Sequence, residues 1–211
     1  MQNRGILTVI SGFSGVGKGA IVKKLVESYD NYVVSISATT RAPRPGDTNG
    51  VDYFFLNKRV FEEKIAAGGF IEYAYYCGQY YGTPKDYVER QLDAGKDVIL
   101  EIETQGALTV KQQFPNTLLF FIMPPNAQEL VKRLESRGTE TPQVVTERLK
   151  NAVYEAEEIE KYDYILINDD LDVCVRRLHE IIMTAHNIPE RNKNFIEKIR
   201  TELKDLAEGG V

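Results

Sequence analysis

The chain has 211 residues, of which 43% are hydrophobic and 27% charged, a balance typical of a globular protein with a well-sized core. Its 26 basic residues are outnumbered by 31 acidic ones, which gives a formal net charge of −5. That charge argues against a protein that binds nucleic acid or an anionic membrane through its overall field.

The cysteines and the apolar stretches indicate the compartment. Cys77 and Cys174 are far apart and fit no metal-ligand spacing, so we expect two reduced thiols. No apolar stretch approaches the roughly 20 residues of a membrane span, and the N-terminus does not resemble a signal peptide. The sequence therefore predicts a cytoplasmic protein.

Five short apolar runs alternate with helical patterns, which is typical of βαβ units that build a parallel sheet. The runs lack strict polar alternation, as expected of strands that are covered on both faces. We therefore predict the α/β class, with strands at 6–10, 32–36, 97–102, 117–123 and 164–167.

The first predicted strand leads into a segment that matches the G-x-x-x-x-G-K pattern and opens a predicted helix. Glycines let the backbone N–H groups of such a loop approach phosphate oxygens, and the helix N-terminus adds a favourable dipole. Lys18 would reach the terminal phosphates. The predicted ATP-binding residues are Gly12, Phe13, Ser14, Gly15, Val16, Gly17, Lys18, Gly19 and Ala20.

This motif normally ends in Ser or Thr, whose hydroxyl holds Mg²⁺, but Gly19 and Ala20 follow the lysine here. We therefore expect no direct protein ligand for the Mg²⁺ that accompanies ATP. Nucleotide phosphates and waters would hold the ion, with Glu101 or Glu103 in contact with those waters.

The stretch 37–95 interrupts the alternation and is dense in Tyr, Gly, Pro and Arg. We interpret it as an inserted α+β subdomain, with short antiparallel strands at 52–56, 70–77 and 80–83 around a helix at 57–67. Farther along, Asn126 and Glu129 are spaced as a capping box, and Pro142 marks a first helical turn. The polar turn 137–141 between those helices is predicted to be a mobile flap.

At the C-terminal end, five apolar residues recur at helical spacing after the break at Ile188 and Pro189. We predict a helix that packs on its own chain, with a dimer contact as the alternative, so that the protein is a monomer or a homodimer. The residues are Phe195, Ile196, Ile199, Leu203 and Leu206.

A set of spaced segments in this sequence resembles the guanylate kinase family of nucleoside-monophosphate kinases. The segments are SATTRAPRPGD at 37–47, GVDYFF at 50–55, FIEY at 70–73, GQYYGT at 78–83, IETQG at 102–106, RLESRG at 133–138, YDY at 162–164 and ND at 168–169. The resemblance implies a P-loop core at 1–36, 97–126 and 146–211, a GMP-binding subdomain at 37–96, and a lid at 127–145. It also implies transfer of the γ-phosphoryl group of ATP to GMP and dGMP.

The resemblance assigns the acceptor phosphate to the first of these segments. Arg41 and Arg44 suit a dianionic monophosphate, because guanidinium groups form charge-assisted, bidentate hydrogen bonds. By resemblance, Ser37, Tyr53 and Tyr81 add hydroxyl contacts.

The guanine base presents two adjacent donors and a carbonyl. By resemblance, the carboxylate of Glu72 would accept from both donors and the hydroxyl of Thr83 would donate to the carbonyl. Adenine would turn a ring acceptor toward that carboxylate. Glu101, where the family typically has Asp, and Glu103 complete the predicted GMP site, at a sheet edge that binds ligands in open α/β folds.

The attacking oxygen of GMP is already an anion, so the predicted reaction needs alignment and charge neutralisation and no general base. Lys18 and Mg²⁺ supply part of the positive field. By resemblance, Arg133, Arg137 and Arg148 supply the rest when the flap closes, and Arg41 acts at the acceptor phosphate. Asn168 follows the last predicted strand, where we expect it to contact the adenine end of ATP or to form a turn. The predicted catalytic residues are Lys18, Arg41, Arg133, Arg137 and Arg148.

Two other functions are weighed against this one. The first is a non-catalytic module of the same fold that holds a phosphorylated partner in its acceptor groove. The second is a kinase for another small phosphorylated acceptor. The intact glycine loop argues against the first, and Glu72 together with Thr83 argues against the second.

Overall fold

The computed structural model describes residues 4–76, 78–136 and 142–208. Its strands form two separate sheets. In chain order the strands are β1 (Leu7–Gly12), β2 (Tyr32–Val34), β3 (Ala38–Thr39), β4 (Phe54–Phe55), β5 (Phe70–Tyr76), β6 (Gln79–Pro84), β7 (Asp97–Glu101), β8 (Leu118–Met123) and β9 (Tyr164–Ile167). The α-helices are α1 (Lys18–Ser28), α2 (Lys58–Ala66), α3 (Lys85–Asp93), α4 (Thr104–Gln113), α5 (Ala127–Glu135), α6 (Pro142–Ala156), α7 (Leu171–Ala185) and α8 (Lys193–Glu208). Two 3-10 helices cover Ile159–Lys161 and Pro189–Asn192.

The central sheet has the strand order β2-β7-β1-β8-β9, and every neighbouring pair is parallel. These are the five strands predicted from apolar runs, with ends that differ by at most two residues. The predicted α/β class, a parallel sheet flanked by helices, is confirmed. The carboxyl ends of β1, β7 and β8 meet at one edge, where the glycine loop begins.

Two hydrophobic clusters cover the faces of this sheet. Successive residues of a strand point to opposite faces, so Ile10 of β1 lies in a buried cluster with Ile21 of α1, and Val9 lies in another with Val88 of α3. All four side chains are fully buried. Each such burial contributes about 1.5–3 kcal/mol to folding, and the two clusters fix β1 in the middle of the fold.

The second sheet, with the order β4-β3-β6-β5, lies within residues 38–84. β3–β6 and β5–β6 are antiparallel, as expected, but β4 pairs with β3 in parallel, so the prediction of antiparallel strands is wrong there. The long connection from 40 to 53 returns the chain to the same end of the sheet, which allows a parallel pair. Phe61 and Phe70 stack 4.3 Å apart in a small core of this region.

The bounds 37–96 for the inserted subdomain stay a prediction, and α3 complicates them. This helix was not predicted, and its Val88 and Leu92 are buried with the central sheet although they lie inside the inserted range. The two helix-start signals are confirmed. The side chain of Asn126 accepts a hydrogen bond from the backbone N–H of Glu129, and α6 begins at Pro142.

Helix α8 forms where it was predicted, but its side chains are exposed apart from Ile196, which is half-buried. No residue of α8 is buried by the part of the chain that the structure describes, and Phe195, Leu203 and Leu206 are each more than 60% exposed. The prediction that it packs on its own chain is therefore wrong. Spacing specifies which side of a helix is apolar but not what covers that side.

Among the described residues, no helix has both the length and the hydropathy that a membrane crossing requires. Cys174 is a free, buried thiol. Cys77, the predicted flap at 137–141 and the predicted catalytic residue Arg137 lie outside the described residues.

Candidate phosphotransfer site

The glycine loop connects β1 to α1 at the carboxyl edge of the sheet. Its backbone needs glycine at two positions in particular. A Cβ at Gly12 would lie 2.4 Å from the carbonyl oxygen of Ile122, and Gly17 has φ +93° and would place a Cβ 2.8 Å from the amide nitrogen of Asn168. The sequence pattern is thus required by the close approach of β8 and of the segment after β9.

The two large side chains of the loop point into the core. Phe13 is 6% exposed and meets the Phe121 ring edge-on at 5.0 Å, and Val16 is fully buried. Of these two predicted ATP-binding residues, only the backbone can contact phosphate. The side chain of Lys18 folds back over the loop, where its Nζ donates to the carbonyl oxygens of Gly12 at 2.6 Å and Phe13 at 3.3 Å.

Asn168 braces the loop from the end of the sheet. Its buried side-chain amide donates to the carbonyl oxygen of Val16 at 2.8 Å, and the backbone carbonyl of Asn168 accepts from Nη1 of Arg133 at 2.9 Å. Nε of Arg133 also pairs with Glu129 at 2.9 Å, which fixes the guanidinium on both sides. The side-chain amide of Asn168 is engaged with the loop in this structure. Its predicted contact with adenine stays a prediction.

Arg148 reaches the loop from α6, where its Nη1 donates to the hydroxyl of Ser14. Lys18, Arg133 and Arg148 come from three separate helices, and the structure brings all three to the glycine loop. Arg137, the remaining predicted lid arginine, is not described.

The predicted base-recognition pair lies between β5 and β6. Glu72 and Thr83 are cross-strand neighbours, and the Thr83 hydroxyl donates to Oε1 of Glu72 at 2.6 Å. Burial raises the pKa of Glu72, and the bond from Thr83 opposes that shift. Since a hydroxyl has one hydrogen to donate, Thr83 in this structure positions the carboxylate and does not present its hydrogen to a ligand carbonyl.

Arg41 follows β3 of the small sheet, and neighbouring groups orient its guanidinium. Its Nη2 donates to Asp47 at 2.9 Å, its Nη1 donates to the Ala42 carbonyl, and its guanidinium lies 5.3 Å from the Tyr53 ring centroid. The backbone N–H of Arg44 and the Arg41 guanidinium lower the pKa of Asp47. Asp47 thus stays ionised and orients the Arg41 guanidinium.

The other residues predicted to contact the acceptor phosphate are Tyr53, Tyr81, Ser37 and Arg44. The Tyr81 ring meets the Tyr53 ring edge-on, with 6.1 Å between the ring centroids. The carbonyl of Ser37 accepts from the backbone N–H of Phe54, and the Arg44 side chain is exposed.

A group of carboxylates surrounds Lys18 at the strand ends. Burial raises the pKa of Glu101, Lys18 opposes that shift and Glu103 adds to it. Glu155 on α6 was not predicted from the sequence. Its pKa is raised to about 7 by burial and by Glu103, against the effect of Lys18. Glu103 and Glu155 line a cleft of about 630 Å³ between α4 and α6. A sequence signal for Glu155 was available. It lies seven residues after Arg148, and this spacing places both side chains on one face of a helix.

Carboxylates at this edge suit Mg²⁺, which prefers oxygen donors and retains waters. A Cβ added at Gly19 would lie 3.8 and 3.9 Å from the two oxygens of Glu101. A carboxylate therefore faces the loop position at which the usual motif has a hydroxyl. Within the described residues, no cluster of three or more His, Cys, Asp or Glu is arranged to hold a metal ion directly.

A parallel sheet whose first strand opens into a lysine-containing glycine loop, with arginines from two further helices beside it, defines a P-loop nucleotide-binding fold of the kinase type. Comparisons specify the family. A family model described as guanylate kinase matches residues 4–185. The guanylate kinase of Clostridium perfringens strain 13 is 45% identical over 205 residues, which are 97% of this chain and 95% of that protein.

Two further relatives agree. The guanylate kinase of Oceanobacillus iheyensis is 47% identical over 199 residues, which are 94% of this chain and 97% of that protein. The crystal structure of guanylate kinase from Anaplasma phagocytophilum superposes with a TM-score of 0.69 at 31% identity and covers 90% of both chains. The chain belongs to the guanylate kinase family.

Proposed function

We propose that this enzyme transfers the γ-phosphoryl group of ATP to GMP, and also to dGMP, giving ADP and the guanosine diphosphate. The observation that carries the choice of acceptor is the Glu72 carboxylate, which the Thr83 hydroxyl orients at 2.6 Å. An ionised carboxylate offers only acceptors, so it matches the two adjacent donors of guanine. Family membership supports the same acceptor.

ATP binding is assigned to the glycine loop. Its N–H groups and the N-terminus of α1 favour an anion. Lys18 now donates to Gly12 and Phe13 carbonyls, and we infer that it exchanges those bonds for bonds to phosphate oxygens. The Ser14 hydroxyl holds Arg148 beside the loop, so this arginine needs little movement to reach the same phosphates.

GMP binding is assigned to the small sheet. Arg41, already oriented by Asp47, donates hydrogen bonds to the monophosphate together with Arg44 and the hydroxyls of Tyr53 and Tyr81. The Arg41 side chain is 16% exposed, so part of it is accessible to a ligand. Ser37 and Glu103 complete the proposed acceptor site.

In the reaction, an oxygen of the GMP phosphate forms a bond to the γ-phosphorus as the bond from that phosphorus to the ADP oxygen breaks. The chain supplies alignment and positive charge. Arg133 is fixed by Glu129 and by the Asn168 carbonyl, so its charge is preorganised beside the loop. Arg137 and Arg148 complete the set in this proposal.

The magnesium ion that such a kinase uses fits the donors at this edge. Glu101 and Glu103 would hold its waters, since Gly19 and Ala20 have no side-chain oxygen. When bound, the ion neutralises charge on the phosphates of ATP. We place the enzyme in the cytoplasm, acting on ATP and GMP as a monomer or a homodimer.

A coupled ADP-release assay with GMP, dGMP, IMP, AMP and no acceptor tests the proposal. We expect turnover with GMP and dGMP, and strong discrimination against AMP. IMP lacks the exocyclic amine and should be intermediate. ATP binding without turnover on any acceptor would indicate a non-catalytic module, and faster turnover with another acceptor would indicate a different kinase.

A further inference from the structure

Thr39 is the last residue of β3 and is completely buried. It lies inside the small sheet, because β3 pairs with β4 on one side and with β6 on the other. Its neighbour on β6 is Tyr81, and Arg41 follows it two residues later in the chain. Thr39 therefore lies between two of the residues that are proposed to hold the acceptor phosphate.

The hydroxyl of Thr39 makes two hydrogen bonds that connect these residues. It donates to the backbone carbonyl of Tyr80 at 2.9 Å, and its oxygen accepts from the backbone N–H of Arg41 at 3.1 Å. The second bond forms a turn in which a threonine side chain bonds to the backbone two residues on. One hydroxyl thus links the backbone of Arg41 to the residue that precedes Tyr81.

Thr40 holds the same point of β6 through its own contacts. Its backbone N–H donates to the Tyr80 carbonyl at 3.1 Å, and its hydroxyl accepts from the Tyr80 N–H at 2.9 Å and donates to the Gln79 side chain at 2.7 Å. The Tyr80 carbonyl therefore keeps a partner if the Thr39 hydroxyl is removed. The change would release the backbone of Arg41 without breaking the pairing of β3 with β6.

The other bonds of Arg41 orient its side chain within its own loop. Nη2 donates to Asp47 and Nη1 donates to the Ala42 carbonyl, and both acceptors belong to the segment that follows β3. The bond to Thr39 instead joins the Arg41 backbone to the sheet. The position of the guanidinium relative to Tyr81 therefore depends on the Thr39 hydroxyl.

We propose that Thr39 is a positioning residue for the acceptor phosphate. Its hydroxyl sets the spacing between Arg41 and Tyr81, and Thr39 does not touch the nucleotide, because its side chain has no exposed surface. This inference rests on the proposed function, since it takes Arg41 and Tyr81 as contacts of the GMP phosphate.

The test compares GMP with guanosine, which has the same base and ribose but no phosphate. Both are titrated by calorimetry into the full chain, as wild type and as Thr39→Val, which keeps the branched shape and removes the hydroxyl. We expect the substitution to weaken GMP about tenfold, which corresponds to roughly one hydrogen bond. Guanosine and ATP should bind as they do to the wild type.

A second substitution separates positioning from packing. Val favours strands and fills the buried site, whereas Thr39→Ser keeps the hydroxyl but deletes a buried methyl group. A packing role would make Thr39→Ser the weaker GMP binder of the two. Positioning by the hydroxyl makes Thr39→Val the weaker one. Thr39→Ala differs from Thr39→Ser only by the hydroxyl, and this pair carries the test if Thr39→Val does not fold.

Thr8→Val is the matched control. Thr8 is a fully buried threonine of β1, and its hydroxyl has no hydrogen-bond partner among the described residues. This variant should bind GMP and guanosine as the wild type does.

The proposal would be overturned by unchanged GMP binding in Thr39→Val, by equal losses of GMP and guanosine, by a larger GMP loss in Thr39→Ser, or by the same GMP loss in Thr8→Val. Each of these results leaves the proposed function intact. A wild-type chain that does not bind GMP would overturn the proposed function and this inference together.

Discussion

Replacing Glu72 by Gln changes the proposed acceptor site with the least change of shape. Glu72 lies on β5 and accepts from Thr83 at 2.6 Å. A carboxylate presents two acceptor oxygens, whereas the amide of Gln presents one acceptor and one donor. One of the two guanine donors would therefore face another donor.

The size of the effect follows from these groups. The substitution removes one hydrogen bond to a charged group, about 1.5–3 kcal/mol, and leaves a buried donor unpaired, about 1–3 kcal/mol. The sum corresponds to a loss of GMP affinity of about 10²- to 10⁴-fold. Stability should not fall with it, because burial raises the pKa of Glu72 and a neutral amide removes the cost of a buried charge.

The assay separates binding of the two substrates. KM for GMP and the Kd of ATP are measured for Glu72→Gln and for Glu63→Gln, a matched change of an exposed glutamate on α2 that pairs only with Arg59 at 3.2 Å among the described residues. We expect KM for GMP to rise at least 100-fold in the first variant alone, with ATP binding unchanged in both. A KM within threefold of the wild type, or equal losses for ATP and GMP, would refute the assignment of Glu72 to guanine.

Three further predictions concern the glycine loop and its carboxylates. Lys18→Ala should lower the turnover number by at least about 10²–10³-fold while GMP binding is retained. A coupled ADP-release assay and a GMP titration measure the two quantities, and near-normal turnover would contradict the role of Lys18. Arg148→Gln should lower the turnover number by a similar factor, whereas Ser14→Ala, which removes only the hydrogen bond to Arg148, should cost less than tenfold; a larger loss in Ser14→Ala than in Arg148→Gln would contradict this role for Arg148. Glu155 has a pKa raised from 4.5 to about 7, so its contribution to stability is complete below 4.5 and is lost as the pH rises through 7. Thermal melts should therefore show Glu155→Gln gaining stability relative to the wild type between those pH values, and a constant difference in Tm would contradict it.

The central sheet and the glycine loop could be predicted because their signals are local. Each buried strand is one apolar run, and Gly12, Gly17 and Lys18 follow β1 directly. β3 could not be predicted, since it has only two residues and exists because β4 and β6 pair with it. β4 pairs with β3 in parallel because of the path of the long loop between them. Residue propensities do not encode that path.

The sequence offered candidate residues for the site but not the contacts among them. Asn168 and Arg148 were expected at nucleotides, and the structure shows each of them bonded to the glycine loop. Asp47 and Glu155 were missed, because a carboxylate that serves an arginine or another carboxylate looks in sequence like any solvated one. Helix α8 shows the same limit on a larger scale, since its apolar spacing was correct and its burial was not.

The braces on the glycine loop also have a consequence for biosynthesis. β1 emerges from the ribosome first, yet its sheet neighbours β7 and β8 follow much later, and the braces Arg148 and Asn168 stand 134 and 152 residues beyond the loop atoms they contact. Because domains generally fold as units, a nascent chain that stops before α6 carries the complete phosphate-binding motif without either of the side chains that hold its shape. We expect nucleotide binding to arise late in translation, so that the ability to retain ATP marks a chain whose synthesis is nearly finished.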